Sequence, residues 1–370
     1  MAYEHNLDLQ TVMEASLRGI PTDQLELEAG DGVLKESRTL GQGAVNSVDL
    51  CTYRGSDGEN KTLVFKPELG ARQGLDHLCA GALGYDARVR VMQINVAASR
   101  SAEAIGCGDV IAKSSIGSHD GKIGLFMEAA PGKTARALLS GNPVCRTAGG
   151  EELNLTQALD YMQNNGKLNI ARANPMRECN KLEWADLLSG QVDRHADNYL
   201  VHINPDTGGV KITGIDNDAS FGSRRVGLNH VDVRGMEYRL DGKIRPELIG
   251  DHVDLSALTP EELNNLRYVF GFNQASLPPC IDKYTYDELM KIDVAEYRNT
   301  MLTCMGEAAA DAAVSRLEAA IRHARVLAAH GKVVKNWESP EARDIVRNSY
   351  VPDSRLRNVF YNRDLARVFG

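Results

Sequence analysis

The amino-acid sequence predicts an α+β protein of two lobes, a small β-rich N-terminal lobe and a larger, mainly helical C-terminal lobe. Residues 38–67 read as strands joined by the turn GSDGEN, whereas residues 133–189 and 284–332 are mainly helical in pattern. A chain of 370 residues is also long for one compact core. We therefore expect two lobes with a ligand cleft between them.

The predicted boundaries follow breaks in these patterns. Residues 1–34 combine a short helical pattern with Pro21 and several glycines, and we interpret them as an N-terminal extension. The N-terminal lobe then covers residues 35–130 and ends before a Pro-Gly break. The C-terminal lobe covers residues 131–370.

Within the lobes, a helix is predicted from about Arg88 to Ile105, because apolar residues recur there at spacings of three and four. The segment GKIGLFMEAAPG predicts a buried strand that runs into the break. Gly190 follows NKLEWADLLS at the place of a helix C-terminal glycine. Two short strands follow, joined by NPDTGG, and from about residue 255 onward the pattern is again helical.

Composition and charge narrow the function classes. The formal net charge of −8 argues against a nucleic-acid binder, which is usually basic. The seven cysteines are scattered without CxxC spacing, which disfavours a structural zinc site and fits free thiols in a reducing compartment. We find neither a signal peptide nor a membrane-spanning apolar run, so we expect a soluble, cytoplasmic protein.

The two strands around NPDTGG carry the most informative polar residues. If the turn centres on Thr207, paired positions sum to 414, and Asn198 then faces Asp216 across the hairpin. A slip of one residue would move these side chains to the other face. Asn and Asp supply oxygen ligands that suit magnesium.

Asp193 lies five residues before Asn198, in the loop that enters the same strand. A carboxylate there can accept the proton of a hydroxyl group that attacks a phosphate. Taken alone, Asp and Asn in turns are more often structural, because their side chains bond nearby backbone.

The longer strings are more specific. Asp193-Arg194-His195-x-x-Asn198, followed by IDNDASFG from Ile215, resembles the catalytic and metal-binding loops of the atypical protein-kinase-like superfamily. That superfamily includes phosphatidylinositol kinases, HipA-type kinases, secretory-pathway kinases and bacterial effector kinases. The resemblance implies a two-lobed protein-kinase-like fold that uses ATP with Mg²⁺, or alternatively Mn²⁺. It also implies Asp193 as catalytic base, with Asn198 and Asp216 as metal ligands.

The N-terminal lobe has matching segments. LGQGAVNSV resembles the glycine-rich loop, in which Gly41 and Gly43 let the backbone approach phosphates and Val48 covers the adenine. Lys66, in VFKP, resembles the strand lysine that holds phosphates. LFMEAAPG resembles the hinge, where backbone groups near Glu128 and Ala130 would bond the adenine edge.

One part departs from the superfamily pattern. The helix that normally supplies a glutamate to the strand lysine has Asn95 at the aligned position, and its nearest acid is Glu103. Either Glu103 pairs with Lys66 through a shifted helix, or Asn95 or Gln93 makes a neutral contact. The resemblance covers about residues 38–225.

These observations predict an ATP- and magnesium-dependent phosphotransferase, with a protein Ser/Thr acceptor favoured over an inositol lipid. Two alternatives stay open at this point: AMP transfer by a flipped nucleotide, and a nucleotide-binding pseudokinase scaffold. The resemblance to effector kinases also suggests delivery into a host cell. The oligomeric state, and the role of residues 226–370, are not predicted.

Overall fold

The predicted mixture of a β-rich N-terminal sheet and a helical C-terminal region is confirmed. The computed structural model describes residues 25–26, 33–42, 47–54, 58–67, 91–119, 122–191, 194–221, 238–240, 243–244, 267–270, 273–276, 278 and 280–342. The helical pattern noted near the start of the chain lies outside these residues.

A six-stranded sheet forms the N-terminal region. Its strands are β1 (Leu25–Glu26), β2 (Val33–Gln42), β3 (Ser47–Arg54), β4 (Asn60–Pro67), β5 (Ser114–His119) and β6 (Lys122–Glu128). The strand order is β1-β5-β6-β4-β3-β2, and every neighbouring pair is antiparallel except β1 and β5. The predicted extension therefore contributes a short edge strand to the main sheet.

The two faces of this sheet bury different residues because successive side chains of a strand point to opposite sides. Phe65 and Phe126 lie opposite each other and pack with neighbours in one apolar cluster. Val64, Leu125 and Met127 face the other way and join the main core.

Helix α1 (Val91–Ala104) belongs to that main core, and its last residue lies one position before the predicted end at Ile105. Its residues 92–99 are all buried. Ile94, Ala97 and Ala98 lie on its apolar side and join the core cluster with Ala102. The helix contacts β5, β6 and elements of the C-terminal region, so it lies between the two predicted lobes.

A three-stranded sheet follows the predicted hinge. It consists of β7 (Lys133–Thr134), β10 (Tyr199–Asn204) and β11 (Gly209–Gly214), in the order β11-β10-β7. Gly132 is required here, because a Cβ at this position would lie 2.4 Å from the carbonyl oxygen of Val201 and its φ is +114°. The hinge backbone therefore lies directly against the hairpin.

Helices dominate the rest of the described C-terminal region. They are α2 (Ala135–Leu138), α3 (Leu155–Asn164), α4 (Leu168–Ser189), α5 (Lys283–Leu289), α6 (Val294–Leu302) and α7 (Glu307–Ala329). Asn154 and Gln157 form a capping box at the start of α3. Asp282 and Asp293 cap α5 and α6 through their side chains.

Helix α4 is the centre of this region. It ends as predicted at Gly190, which adopts the left-handed conformation with φ 66° and ψ 36°. Nearly all of its residues from Glu178 onward are buried, and α1, α3 and α7 contact it. Its last turn therefore provides a rigid support for the loop that begins at Gln191.

Residues 267–276 correct the prediction of helix from about residue 255. Within them, β14 (Arg267–Phe270) pairs antiparallel with β15 (Asn273–Ser276), and Tyr268, Val269 and Phe270 are aromatic or β-branched residues that favour strands. The remaining short strands are β8 (Cys145–Arg146), β9 (Glu152–Leu153), β12 (Tyr238–Leu240), β13 (Lys243–Ile244), β16 (Ile281–Asp282) and β17 (Val333–Val334). Across the described residues, no helix combines the length and apolarity needed to cross a bilayer.

Candidate active site

Lys66 lies near the end of β4, opposite Leu125 of β6. The alternation of the strand directs it to the same face as Val64, which packs against the main core. Its Nζ donates to Oδ1 of Asp216 at 2.5 Å. The two residues are 150 positions apart in sequence, so the fold brings together two of the predicted site residues.

The helix residues predicted as partners of Lys66 have other described contacts, and a partner on the helix stays a prediction. Glu103 pairs instead with Lys113, at 3.6 Å between exposed side chains. Asn95 is buried, and its Oδ1 accepts a hydrogen bond from the backbone N–H of Asn217 at 2.9 Å. Helix α1 therefore reaches the loop that carries Asp216.

The hairpin register is also corrected. Tyr199 pairs with Gly214 and Asn204 with Gly209, so paired positions sum to 413 and not to 414. The four-residue turn that starts at Pro205 sets this register, with Gly208 donating its N–H to the carbonyl of Asn204 at 2.9 Å. Regular pairing ends at Tyr199, before Asn198.

Asn198 and Asp216 therefore lie just beyond the paired strands. The carbonyl oxygen of Asn198 accepts the N–H of Ile215 at 3.0 Å, which places its backbone one residue from Asp216. Asn198 is buried, whereas the side chain of Asp216 keeps 35% of its surface exposed. That these two side chains bind one metal ion together stays a prediction.

Asp216 has an unusual backbone conformation, with φ 56° and ψ 57°. This left-handed region costs a residue other than glycine about 1 kcal/mol, although Asp tolerates it better than most. A short 3-10 turn, Asn217–Ala219, begins directly after it. Such strained residues are concentrated at functional sites, where the surrounding structure holds them in place.

Arg194 provides much of that support. It is one of the largest fully buried side chains. Its Nε donates to Oδ2 of Asp186 at 3.0 Å, and its Nη2 donates to Oδ1 at 2.8 Å. Its Nη1 donates to the carbonyl oxygens of Asn198 at 2.6 Å and Ile215 at 2.7 Å. One guanidinium thus joins α4, the loop before β10 and the loop after β11.

The space for this guanidinium depends on Gly214. A Cβ there would lie 3.0 Å from Cζ and Nη2 of Arg194 and 2.9 Å from a methyl of Leu182. Burial raises the pKa of Asp186 above its ordinary value, and the charge and hydrogen bonds of Arg194 offset part of that rise.

The two strands predicted to bind the nucleotide, β2 and β3, pair antiparallel. Gly41 of β2 pairs with Val48 of β3, and a register irregularity lies between Thr39 and Gly41. Val48 is half-buried. Gly43 lies outside the described residues, so its approach to phosphates stays a prediction.

The predicted hinge is already hydrogen-bonded within itself. The N–H of Ala130 donates to the carbonyl oxygen of Glu128 at 2.9 Å, which forms a three-residue turn. The N–H of Glu128 donates to the carbonyl of Lys113, also at 2.9 Å. An adenine that used the backbone groups of Glu128 and Ala130 would have to open this turn.

The donor types at the hairpin end fit a magnesium ion. Among the residues that the structure describes, no three His, Cys, Asp or Glu residues form a metal cluster. A site of the predicted kind needs fewer acidic ligands, since it combines one carboxylate with an amide oxygen, waters and substrate phosphates. The carboxylate of Asp216 forms an ion pair with the ammonium group of Lys66.

Asp193, the predicted catalytic base, lies outside the described residues. Its neighbour His195 is exposed, and its ring lies 4.0 Å from the carboxylate of Asp197. The described residues that flank this gap in the chain, Gln191 and Arg194, are both buried. Gln191 donates from Nε2 to the carbonyl oxygen of Asp216 at 3.3 Å.

The sequence prediction did not identify Arg194, Asp186, Gly214 or Gln191 as site residues. Arg194 belongs to the quoted motif and Gly214 directly precedes Ile215, so their positions in the sequence could have identified them. Asp186 had no such signal, because its role depends on a contact with a residue eight positions away across the end of α4.

Comparison with known proteins gives limited further information. No protein-family model matches the chain, and the curated proteins include no match. Among solved structures, the chain is similar to a Helicobacter pylori proinflammatory kinase, CtkA, with 12% identity and a TM-score of 0.37, covering 80% of this chain and 96% of that chain.

The chain is also similar to the FAT and kinase domain of CtTel1, with 14% identity and a TM-score of 0.34, covering 79% of this chain and 22% of that chain. It is similar as well to the open conformation of CtTel1, with 14% identity and a TM-score of 0.33, covering 79% of this chain and 12% of that chain. Because these identities and TM-scores are low, we draw no functional argument from them.

Proposed function

We propose that the protein is an ATP-dependent phosphotransferase that uses a divalent metal ion, Mg²⁺ or Mn²⁺. The observation that carries this proposal is the ion pair between Lys66 of the N-terminal sheet and Asp216 of the hairpin end. The pair joins a cation suited to phosphate with a carboxylate suited to a metal ion, and both side chains are partly exposed. The strained backbone of Asp216 supports the same interpretation.

Each residue has a proposed role. Lys66 binds the phosphates of ATP once its ammonium leaves Asp216, and the backbone at Gly41 and Gly43 approaches the same phosphates. Asp216 and Asn198 hold the metal ion, which neutralises charge on the phosphates when it is bound. Asp193 accepts the proton of the acceptor hydroxyl group. Val48, Glu128 and Ala130 bind the adenine.

The decisive experiment is phosphoryl transfer from ATP labelled at the γ or at the α position, with Mg²⁺ or Mn²⁺. We expect transfer of the γ label by the full chain and its loss in Lys66→Met and Asp216→Asn. The matched controls are Lys113→Met and Asp109→Asn, which also remove one partner of an ion pair and which we expect to keep activity. Transfer of the α label alone would show AMP transfer and contradict the proposal.

For the acceptor, we propose Ser or Thr side chains of a protein, with inositol lipids as the alternative. Protein mixtures and vesicles containing phosphatidylinositol, offered in parallel, distinguish the two. We expect label in protein only, whereas label in lipid only would replace the protein acceptor with a lipid one.

A second candidate function is a nucleotide-binding scaffold without catalysis. The closed turn between Glu128 and Ala130, and the absence of an acidic contact from Glu103 to Lys66, favour it. Under this alternative, ATP binds but no label is transferred, and Asp193→Ala leaves the biological activity unchanged. For a catalyst, the same variant loses most turnover.

From the resemblance to effector kinases, we also propose delivery into a host cell. A secretion assay with a translocation reporter fused to the chain tests this. Reporter signal confined to the producing cell's cytosol would contradict it.

A further inference from the structure

A buried amide side chain of helix α1 forms a hydrogen bond with the loop of Asp216. Asn95 has 1% of its surface exposed, and its Oδ1 accepts the backbone N–H of Asn217 at 2.9 Å. The contact joins residues 122 positions apart. Asn217 directly follows Asp216, so this hydrogen bond acts on the peptide unit next to the carboxylate that pairs with Lys66.

Two other side chains, Arg194 and Gln191, also form hydrogen bonds with this loop. The side-chain oxygen of Asn217 accepts a hydrogen bond from Nη2 of Arg194 at 2.6 Å. The carbonyl oxygen of Asp216 accepts one from Gln191. Asn95 on α1 therefore acts together with Arg194 and Gln191 to maintain the left-handed backbone of Asp216.

An uncharged amide side chain is well suited to position 95, beside the Asp216 loop. A glutamate or aspartate here would add a second carboxylate, largely buried, beside the Asp216 loop, and burial of an uncompensated charge is costly. The amide oxygen supplies the same acceptor without charge. An apolar residue of similar size would leave the N–H of Asn217 without its partner.

We propose that Asn95 is a positioning residue for Asp216, through which α1 sets the direction of the metal-binding carboxylate. This inference rests on the proposed function. An acidic residue on the helix would act through Lys66. Asn95 acts instead on the backbone next to the carboxylate of Asp216. Side chains that support metal ligands in this way typically change metal affinity or activity 10–100-fold when they are removed.

The test compares Asn95→Leu, which removes the acceptor at similar volume, with Ser101→Ala. Ser101 lies on the same helix, and its hydroxyl pairs with that of Tyr297 at 2.9 Å in a buried contact to α6. Both variants remove a buried hydrogen bond of α1: the bond of Asn95 leads to the Asp216 loop, and the bond of Ser101 leads to α6. If Asn95→Leu does not fold, Asn95→Ala takes its place.

Two quantities are measured on the full chain. The first is the dissociation constant for Mn²⁺, used as a paramagnetic probe in the presence of a non-hydrolysable ATP analogue. The second is the amide hydrogen exchange of residues 215–221. We expect Asn95→Leu to weaken Mn²⁺ binding about 10-fold and to speed exchange in this segment. We expect Ser101→Ala to change neither by more than about twofold.

The outcomes separate this inference from the proposed function. If wild-type protein binds Mn²⁺ with the analogue and Asn95→Leu binds it equally well, Asn95 is only structural and the inference is overturned alone. The same holds if exchange at 215–221 is unchanged. If wild-type protein binds neither the analogue nor Mn²⁺, the proposed function fails, and the positioning role fails with it.

Discussion

The two ion pairs of the candidate site differ in burial. The side chains of Arg194 and Asp186 are 1% and 8% exposed, whereas those of Lys66 and Asp216 are 23% and 35% exposed. The guanidinium of Arg194 donates six described hydrogen bonds to α4 and two loops, whereas the ammonium of Lys66 has one described partner. The fold encloses the pair of Arg194 and Asp186, whereas solvent reaches the pair of Lys66 and Asp216.

This difference follows from electrostatics. A buried charge that loses its partner cannot recover the lost interaction from water, so removing one member of a buried pair is costly. A partly exposed pair is screened by solvent, and water replaces the missing partner. We therefore expect substitutions of Arg194 and of Lys66 to change the free energy of unfolding by very different amounts.

The largest effect is expected for Arg194→Met. Asp186 would be left buried without its cation, and the free energy of unfolding should fall by about 3–5 kcal/mol in urea titration. Arg136→Met is the control, because Arg136 forms a surface pair with Asp197 at 2.7 Å and should lose less than about 1 kcal/mol. Equal losses in both variants would contradict the comparison.

His323, a buried ionisable side chain without a described counter-charge, provides a second test of this electrostatic argument. His323 stacks on Trp184, and its Nε2 donates to the carbonyl oxygen of Pro278. Burial lowers the pKa of His323 to about 4. Because the unfolded chain then takes up a proton that the folded one does not, its contribution to stability is complete above about pH 6.5 and falls as the pH drops toward 4.

This loss should amount to about 3 kcal/mol. His323→Gln keeps a donor for Pro278 and cannot titrate, so its stability should depend less on pH. The measurement is the difference between wild type and variant in urea unfolding at pH 7, 6, 5 and 4. Parallel curves for the two proteins would show that His323 does not control this range.

A smaller effect is expected for Gly214→Ala. The added Cβ crowds both the guanidinium of Arg194 and a methyl of Leu182, which typically costs about 1–3 kcal/mol. Gly149→Ala is the control, since its Cβ would meet only the hydroxyl of Thr147 at 3.6 Å. Thermal unfolding of both variants measures the difference, and an unchanged Gly214→Ala would mean that the guanidinium can move aside.

The smallest stability effect is expected for Lys66→Met. Loss of this partly exposed pair should change the free energy of unfolding by less than about 1 kcal/mol, while the proposed phosphoryl transfer is lost. Urea unfolding and the labelled-ATP assay on the same preparation check both parts. A destabilisation as large as that of Arg194→Met would identify Lys66–Asp216 as a structural brace and remove the distinction between the pairs.

Local pattern was sufficient for most of the fold. The strands around residues 38–67, helix α1, the end of α4 at Gly190 and the two strands of the β10–β11 hairpin all follow from apolar spacing and turn residues. The hairpin of residues 267–276 was mistaken for helix, because the helical pattern farther along the chain was extended over it. The edge strand at Leu25–Glu26 is too short to show any periodicity.

The site was predictable only in part, because its contacts depend on a turn conformation and on how distant segments pack. Asn198 and Asp216 could be brought near each other from the turn between them, but the register depended on the conformation of a four-residue turn and came out one position different. Lys66 was selected as a phosphate-binding lysine, which stays a prediction, and its partner was sought on the nearest helix. The choice between Glu103 and Asp216 depends on how two distant segments pack.

By itself, the sequence determined the kinds of elements, their approximate order and the chemical types available for a phosphate and a metal ion, because these depend on spacing within a few residues. Only the tertiary structure decided which of those side chains meet. Lys66 meets Asp216 across 150 residues, and Asn95 meets Asn217 across 122. Such contacts are decided by the packing of the sheet, α1 and α4 around one core, and no local pattern records that packing.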